Sequence, residues 1–276
     1  MMANNKIYNL FHFWLITCLV LVFLIIIVGG LTRLTDSGLS ITKWELFSGV
    51  LPPLNSETWN RYFELYKEIP QYKILNYDMN LHQFKIIFYW EYAHRLLGRI
   101  IGLFFLLPLI YFHLVRKISL KYLTDYYIIL LLIIFQGFIG WYMVQSGLSN
   151  DVTVSHYRLS LHLLIAIIIL SMIFWKILNI KQENIKFFFE LNKKNIPYLI
   201  LITFLFLQIF FGALVSGLDA GKIYQTWPLM GNHFFPDDIE IKHIKDLIDF
   251  NSHSLVQFFH RGIAYLILIY ILILTF

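Results

Sequence analysis

Long apolar runs alternate with short polar connections along this chain, and each run is as long as a helix that crosses a membrane. A helix spans the hydrocarbon core with about 20 residues. Because the runs are continuous and do not alternate with polar residues, they predict helices and not the strands of a barrel. The sequence therefore predicts an all-α, polytopic membrane protein with six visible spans, at about residues 11–31, 86–115, 126–144, 159–180, 197–218 and 255–276.

Composition and charge agree with a membrane protein and predict its orientation. With 58% hydrophobic and 14% charged residues, the chain lies outside the usual range of soluble proteins. Lys and Arg concentrate between the second and third spans and between the fourth and fifth, whereas the fifth-to-sixth connection is acidic. Positive connections stay in the cytoplasm, so the N-terminus is predicted inside. The net charge of +5 follows from this topology, and we interpret it as contact with the lipid bilayer, with no nucleic-acid partner.

The chain also contains an internal repeat, which we call the first and second copies. In strict register, five residues of the first copy recur 183 positions later: Gly29, Asp36, Gly38, Trp44 and Pro53 return as Gly212, Asp219, Gly221, Trp227 and Pro236. Each copy continues into a His-Arg pair near the start of an apolar helix. This predicts a duplicated four-helix-bundle unit, with an N-terminal half at 1–185 and a C-terminal half at 186–276. The C-terminal half shows two of the four expected helices, so we expect that two further spans are absent from this chain.

Three of the ten histidines are candidate iron ligands. His94, His162 and His260 each fall in the first turns of a helix that enters from the outer side, and therefore at a similar depth. Ionisable groups within a span are costly and are usually functional or paired. Imidazole binds haem iron through one nitrogen while the other nitrogen is held by a neighbour, and axial histidines suit the core of a bundle. A cysteine-based metal site is excluded, because the single Cys18 lies inside the first span.

The residues around His94 are compatible with a flat prosthetic group. Gly98 follows on the same helical face and leaves a groove where a macrocycle can lie, although a close helix contact explains the same small residue. Arg95 and Arg261, each next to its histidine, can pair with haem propionates as bidentate cations. The alternative for both arginines is an interaction with lipid phosphate.

Chemically, the two copies differ at the residue one turn before the histidine. Glu91 occupies this position in the first copy and Gln257 in the second. A carboxylate can carry protons, whereas an amide offers hydrogen bonds only. This difference predicts that the first half performs chemistry and the second half supports it. His156, which precedes the apolar run of His162, is interpreted as a loop residue.

The first outer loop, which is longer than its counterpart, is predicted to contain a short amphipathic helix. Aromatic and apolar residues alternate there with charged ones, at Trp59, Tyr62, Phe63, Leu65 and Tyr66. Such a helix either lies on the membrane surface or packs against the bundle. The pattern alone leaves both alternatives open.

Six stretches, spread in order over most of the chain, carry a resemblance to a known family. They are Gly29-Gly-Leu-Thr-Arg-Leu-Thr-Asp-Ser-Gly-Leu-Ser40, Glu91-Tyr-Ala-His-Arg95, Gln136-Gly-Phe-Ile-Gly-Trp141, Tyr157-Arg-Leu-Ser-Leu-His-Leu163, Phe211-Gly-Ala-Leu-Val-Ser-Gly-Leu-Asp-Ala-Gly221 and Phe259-His-Arg261. Together they resemble the haem A synthase family of membrane enzymes. Any one stretch is weak evidence, whereas the combination is specific.

This resemblance implies a reaction and a set of site residues. The family has eight transmembrane helices in two four-helix halves and oxidises a methyl group of haem O to a formyl group, giving haem A for terminal oxidases. By resemblance, His94 and His162 bind the substrate haem O, Glu91 takes part in catalysis and His260 holds a haem b cofactor. It implies a bacterial inner-membrane enzyme whose haem sites lie toward the outer side. An unidentified electron acceptor, haem O synthase and a second copy of the chain are the partners that we consider.

Two departures from the family and two rival functions accompany the resemblance. The chain has no cysteine pair in the first outer loop, so it is similar to the cysteine-free branch. It also lacks the seventh and eighth helices with the fourth histidine, which would leave His260 without its axial partner.

One rival is a di-haem electron carrier with bis-histidine ligation, which needs no difference between Glu91 and Gln257. The other is a transporter, since internal repeats are common in that class.

Overall fold

The computed structural model describes residues 5–43, 48–116, 120–149, 151–180, 191–240 and 242–276. Its α-helices are α1 (Asn5–Leu34), α2 (Ser56–Lys67), α3 (Pro70–Ile74), α4 (Leu81–Val115), α5 (Leu120–Ser149), α6 (His156–Leu178), α7 (Ile196–Gly217) and α8 (His253–Thr275), with short 3-10 turns at Ser48–Val50, Ala220–Lys222 and Ile244–Ile248. Over these ranges, six helices are long and apolar enough to cross a membrane. The prediction of an all-α polytopic protein is confirmed, while Trp44 and the predicted boundary at 185 lie outside the described residues.

The chain divides into two compact units. The first unit comprises Met1–Val154 and Ile165–Phe188, and the second comprises Ser155–Leu164 and Phe189–Phe276. In the first unit α1 packs along α4, and buried side chains of both helices meet those of α5 and the later part of α6. Aromatic rings fill the centre of this core, and Phe11 makes edge contacts with Phe112 and Tyr126 at 4.8 and 5.2 Å between ring centroids.

The loop between α1 and α4 contains the predicted amphipathic helix, which is α2. Its apolar side packs against α4: the buried Trp59 contacts Phe88 at 4.9 Å between ring centroids, and the buried Phe63 contacts Phe84 at 5.1 Å. The side chain of Asn55 caps the helix by accepting the N–H of Thr58. The contacts confirm the alternative in which this helix packs against the bundle.

In the second unit, α7 and α8 form the main pair of packed helices. Their contact is built on Phe211 and Leu214 of α7 with Val256 and Ile263 of α8, all of which are buried. The first turns of α6 join them, because the Ser160 hydroxyl donates to the carbonyl of Phe210 at 3.1 Å.

The two copies share a backbone turn where their first span ends. Asp36 and Asp219 have φ angles of 50° and 54°, in the left-handed region that aspartate tolerates better than most side chains. Each of them donates its N–H to the carbonyl three residues earlier, Arg33 in the first copy and Ser216 in the second. The repeat found in the sequence is therefore also a repeat of backbone conformation.

Candidate functional site

In both copies the histidine of the His-Arg pair faces a glycine of the preceding span. A Cβ atom built on Gly29 would lie 3.1 Å from Nε2 of His94, and one built on Gly212 would lie 3.1 Å from Cε1 of His260. Contacts of this length are tighter than nine in ten real Cβ contacts. The glycines at the head of each repeat therefore give the imidazole ring the room that it occupies.

Glu91 is buried, with only 3% of its surface exposed, and it is surrounded by donors. Its Oε2 accepts hydrogen bonds from the hydroxyl of Ser40 at 2.7 Å and from the N–H of Ile41 at 2.8 Å, and its Oε1 accepts one from Nη2 of Arg95 at 2.5 Å. A buried carboxylate is stable only with such partners. The sequence predicted Glu91 as a functional residue, and the structure adds that it binds the loop that follows α1.

Arg95 and Glu91 together bind the main chain of Ile41, and we call this arrangement the loop clamp. While Glu91 accepts the N–H of Ile41, Nη2 of Arg95 donates to the carbonyl of the same residue at 3.0 Å. Both main-chain groups of one loop residue are thus bound by α4. Buried backbone groups need such partners when no regular ladder supplies them.

The second copy has the same clamp at the equivalent residue. Tyr224, which lies 183 positions after Ile41, donates its N–H to Oε1 of Gln257 at 3.2 Å. Its carbonyl accepts from Arg261 and from Nε2 of Gln257. Arg261 also donates to the carbonyl of Thr226 at 2.7 Å. The carboxylate is therefore not required to hold the loop, because an amide does so in the second copy.

The arginines thus have a partner within the protein that sequence reasoning did not identify. Arg95 and Arg261 were interpreted as anchors for haem propionates, and both instead contact loop carbonyls in the structure. A guanidinium has five N–H donors, so a role with propionates is compatible with the clamp and stays a prediction. The internal repeat could have revealed the clamp, because Ile41 and Tyr224 lie three residues after Gly38 and Gly221 and are therefore equivalent positions in the two copies.

His162 lies in the second turn of α6, within the part of this helix that belongs to the second unit. Its predicted pairing with His94, which belongs to the first unit, stays a prediction. His156 was interpreted as a loop residue, and this was wrong: it is the first residue of α6. His156 packs closely on Gly217 of α7, because a Cβ atom built on that glycine would lie 2.8 Å from the Cα of His156.

The described residues fit a flat group held by single histidines better than a metal held by a cluster. Over the described ranges, no group of three or more His, Cys, Asp or Glu side chains is placed to bind a metal ion. A Cβ on Gly102 would meet nothing within 4 Å, and one on Gly98 would meet only the end of Ile25 at 3.6 Å. Open space therefore follows His94 along α4, as a macrocycle requires. The role of Gly98 as a contact surface for that group stays a prediction.

In the second unit, an acidic residue connects the loop between α7 and α8 to the first turn of α8. Asp238 accepts hydrogen bonds from the hydroxyl of Tyr224 at 2.7 Å and from that of Ser254, the second residue of α8, at 2.6 Å. Burial raises the pKa of Asp238, but the two hydroxyl bonds outweigh it and leave the pKa below its ordinary value. Because Tyr224 is also the clamped residue, this bond supports the clamp of the second copy.

Replacing Gly29 with alanine is expected to displace the ring of His94 and, if this ring ligates a haem as the sequence predicts, to weaken haem binding about tenfold, since the groups that hold a ligating side chain typically contribute 10- to 100-fold to metal affinity. The new methyl group forces the ring of His94 to move by a few tenths of an ångström. Haem content per protein, measured by pyridine haemochrome, reports the change. Gly30→Ala is the matched control, because its Cβ meets nothing within 4 Å. Equal haem content in the two variants would contradict the expected role of Gly29.

Comparison with known proteins gives one family and several close relatives. The model of a family described as cytochrome oxidase assembly protein matches residues 12–276. A protein of Pelagibacter ubique named Heme A synthase is 53% identical over 263 residues, which cover 95% of this chain and 77% of that relative. Proteins with the same name from Rickettsia bellii and Parvibaculum lavamentivorans are 47% and 43% identical, over 91% and 93% of this chain and 75% and 74% of their own lengths. No solved structure matches.

Proposed function

The chain belongs to the cytochrome oxidase assembly protein family, and we propose that it acts as a haem A synthase, the name that its relatives carry. In the proposed reaction one methyl group of haem O is oxidised to a formyl group by successive hydroxylations and loss of water, and the four electrons that the carbon loses pass to an electron acceptor. The product, haem A, then serves terminal oxidases. We further propose a bacterial inner-membrane location with the N-terminus in the cytoplasm and the haem sites toward the outer side.

The observation that best supports catalysis in the first half is the buried Glu91 one turn before His94. Both lie on α4, beside Gly29 and the clamped loop. The second copy keeps the clamp with Gln257, and so it keeps the hydrogen bonds without the acid-base capacity. A carboxylate in one copy and an amide in the other is expected if only the first half moves protons.

In this proposal, the residues of the first half have separate tasks. His94 and His162 bind the iron of the substrate haem O, and Gly98 gives its ring a flat surface. Glu91 accepts the proton that is released at the reacting carbon, and Ser40 and Arg95 keep its carboxylate in place. The clamp on Ile41 fixes the outer loop beside α4 and limits the access of water to the carboxylate.

The second half is proposed to bind haem b as a resident cofactor. His260 would hold the iron, and Gly212 leaves space for the imidazole ring. Arg261, the next residue after His260, would pair with a propionate while it also binds the loop. Haem b, when bound, supplies a one-electron redox centre. The proposed division into an N-terminal substrate half, 1–185, and a C-terminal cofactor half, 186–276, follows from these assignments.

Extraction of pigments combined with pyridine haemochrome spectroscopy tests this proposal. Wild-type protein is compared with His94→Ala and His260→Ala, and His233→Ala is the control because the side chain of His233 is 72% exposed in the outer loop. We expect His94→Ala to lose haem O and haem A and to keep haem b. His260→Ala should lose haem b, and the control should retain all of them.

Two results would contradict the proposal. Wild-type protein that carries no haem under any expression condition would exclude a haem enzyme. Wild-type protein that holds haem b in both halves, and never haem O or haem A, would instead indicate a di-haem electron carrier.

A further inference from the structure

Gln208 of α7 contacts the histidine of the second copy directly. Its Nε2 lies 3.1 Å from Nδ1 and 3.3 Å from Nε2 of His260. Gln208 precedes Gly212 by one helical turn, so both residues face His260 from the same side of α7. The ring of His260 is thus bordered by a glycine that gives it room and by an amide that can bind it.

Only the nitrogen of the Gln208 amide has a partner in this arrangement. Its Oε1 is buried and has no hydrogen-bond partner among the described residues. An unpaired buried acceptor destabilises the folded protein, so such an atom needs an explanation. The two ends of a glutamine amide are assigned from their hydrogen bonds, and a half turn about the last side-chain bond exchanges Oε1 with Nε2.

The first copy has no amide at the equivalent position. The residue 183 positions before Gln208 is Ile25, whose side chain packs in the apolar core of the first unit. An isoleucine offers no hydrogen bond to an imidazole. Whatever Gln208 does for His260 is therefore specific to the second copy.

Iron ligation explains both the unpaired oxygen and the difference between the copies. A neutral imidazole carries one N–H and one lone pair. When the lone pair binds iron, the remaining N–H needs an acceptor, which fixes the ring and makes the ligand more basic. Nε2 of Gln208 lies within 3.3 Å of both ring nitrogens. The amide is therefore within reach of whichever ring N–H the iron leaves free, and a rotation of the glutamine side chain is needed to align Oε1 with it.

We propose that Gln208 is a positioning residue that accepts the N–H of an iron-bound His260 and thereby holds a permanently bound haem in the second half. The inference rests on the proposed function, in which the second half keeps a cofactor while the first half exchanges substrate and product. Gln208 contacts neither substrate nor reacting atoms, and it acts through His260.

The test replaces Gln208 with isoleucine, the residue of the first copy, and with glutamate, which keeps the acceptor. The midpoint potential of each haem is measured by spectroscopic redox titration of the purified protein. The rate of haem release is measured as the transfer of haem to apomyoglobin. Losing the acceptor makes the ligand less basic and favours ferrous iron, so Gln208→Ile should raise the midpoint potential of the second-half haem. We expect about a tenfold change in the reduction equilibrium, which is about 59 mV for one electron, and release that is about 10- to 100-fold faster.

Gln208→Glu should retain haem and lower the midpoint potential, because a carboxylate is the stronger acceptor. The first-half haem is an internal reference whose potential should not change. Thr203→Val is the matched control on α7, since the exposed hydroxyl of Thr203 bonds only to the carbonyl of Leu199 in its own helix. Unchanged potential and release in Gln208→Ile would overturn the inference, and so would equal changes at both haems with a loss of thermal stability.

The same samples separate this inference from the proposed function. If wild-type protein holds a haem at His260 but never converts haem O, the function fails while the effect of Gln208 on potential and release still decides the inference. If wild-type protein converts haem O and Gln208→Ile has no effect, the inference alone fails. Wild-type protein without haem overturns both.

Discussion

Replacing Glu91 with glutamine is expected to slow the conversion of haem O by about 10²- to 10⁴-fold, the usual contribution of a positioned acid or base. The protein should fold and bind haem, because Gln257 performs the clamp in the second copy with an amide. Arg95 would still donate to the carbonyl of Ile41, as Arg261 does to that of Tyr224. The measurement is the amount of haem A formed per bound haem O over time, by chromatography of extracted haems.

Two further variants separate catalysis from loop attachment. Gln257→Glu makes the reciprocal change and should leave turnover close to that of wild type. Glu91→Leu removes the acceptor of Ser40, Ile41 and Arg95 together, and breaking such a buried pair typically costs about 3–5 kcal/mol, so it should reduce stability as well as activity. If Glu91→Gln turns over haem O at the wild-type rate, Glu91 is a clamp residue and not a proton carrier.

Replacing Gly217 with alanine is expected to destabilise the second unit by about 1–3 kcal/mol, the usual cost of overpacking. The new Cβ would lie 2.6 Å from Cβ and 2.8 Å from Cα of His156. Because one of these atoms belongs to the backbone of α6, no side-chain rotation relieves the contact, and the helices α6 and α7 must separate there. Close contacts of this type at small residues are a common way for membrane helices to associate.

Thermal unfolding of the purified protein in detergent measures this effect. Gly262→Ala is the control within the same unit, because its Cβ on α8 would meet nothing within 4 Å. Alanine gains helix propensity over glycine mainly at Gly262, which lies inside α8, whereas Gly217 is the last residue of α7. Gly217→Ala should therefore unfold at a lower temperature than both wild type and the control. Equal unfolding temperatures would show that α6 and α7 adjust without cost.

The six spans could be predicted from apolar run length, but their ends could not. The third span was predicted from residue 126, whereas α5 begins at Leu120. The additional residues mix polar and apolar side chains, and Asp125 among them forms an ion pair with Lys176 of α6. A charged residue looks like the end of a span in the sequence, while a partner on a neighbouring helix allows the helix to continue.

For the candidate site, the sequence identified residues but not all of their partners. Glu91, His94 and His260 were found because they are polar residues in apolar helices at repeated positions. Ser40 and Gln208 were missed as functional residues, since their importance depends on which side chain the fold places beside them. A serine in a loop and a glutamine in a span carry no such information alone.

The loop clamp binds only main-chain atoms of the residue that it holds, so the clamp does not restrict which side chain that residue carries. Isoleucine occupies the held position in the first copy and tyrosine in the second, although α4 and α8 bind both main-chain groups of that residue in each copy. After a gene duplication, such a position can diverge in identity while its geometry persists. Ile41 and Tyr224 are therefore structurally equivalent residues that a search for identical letters in the two copies would pass over.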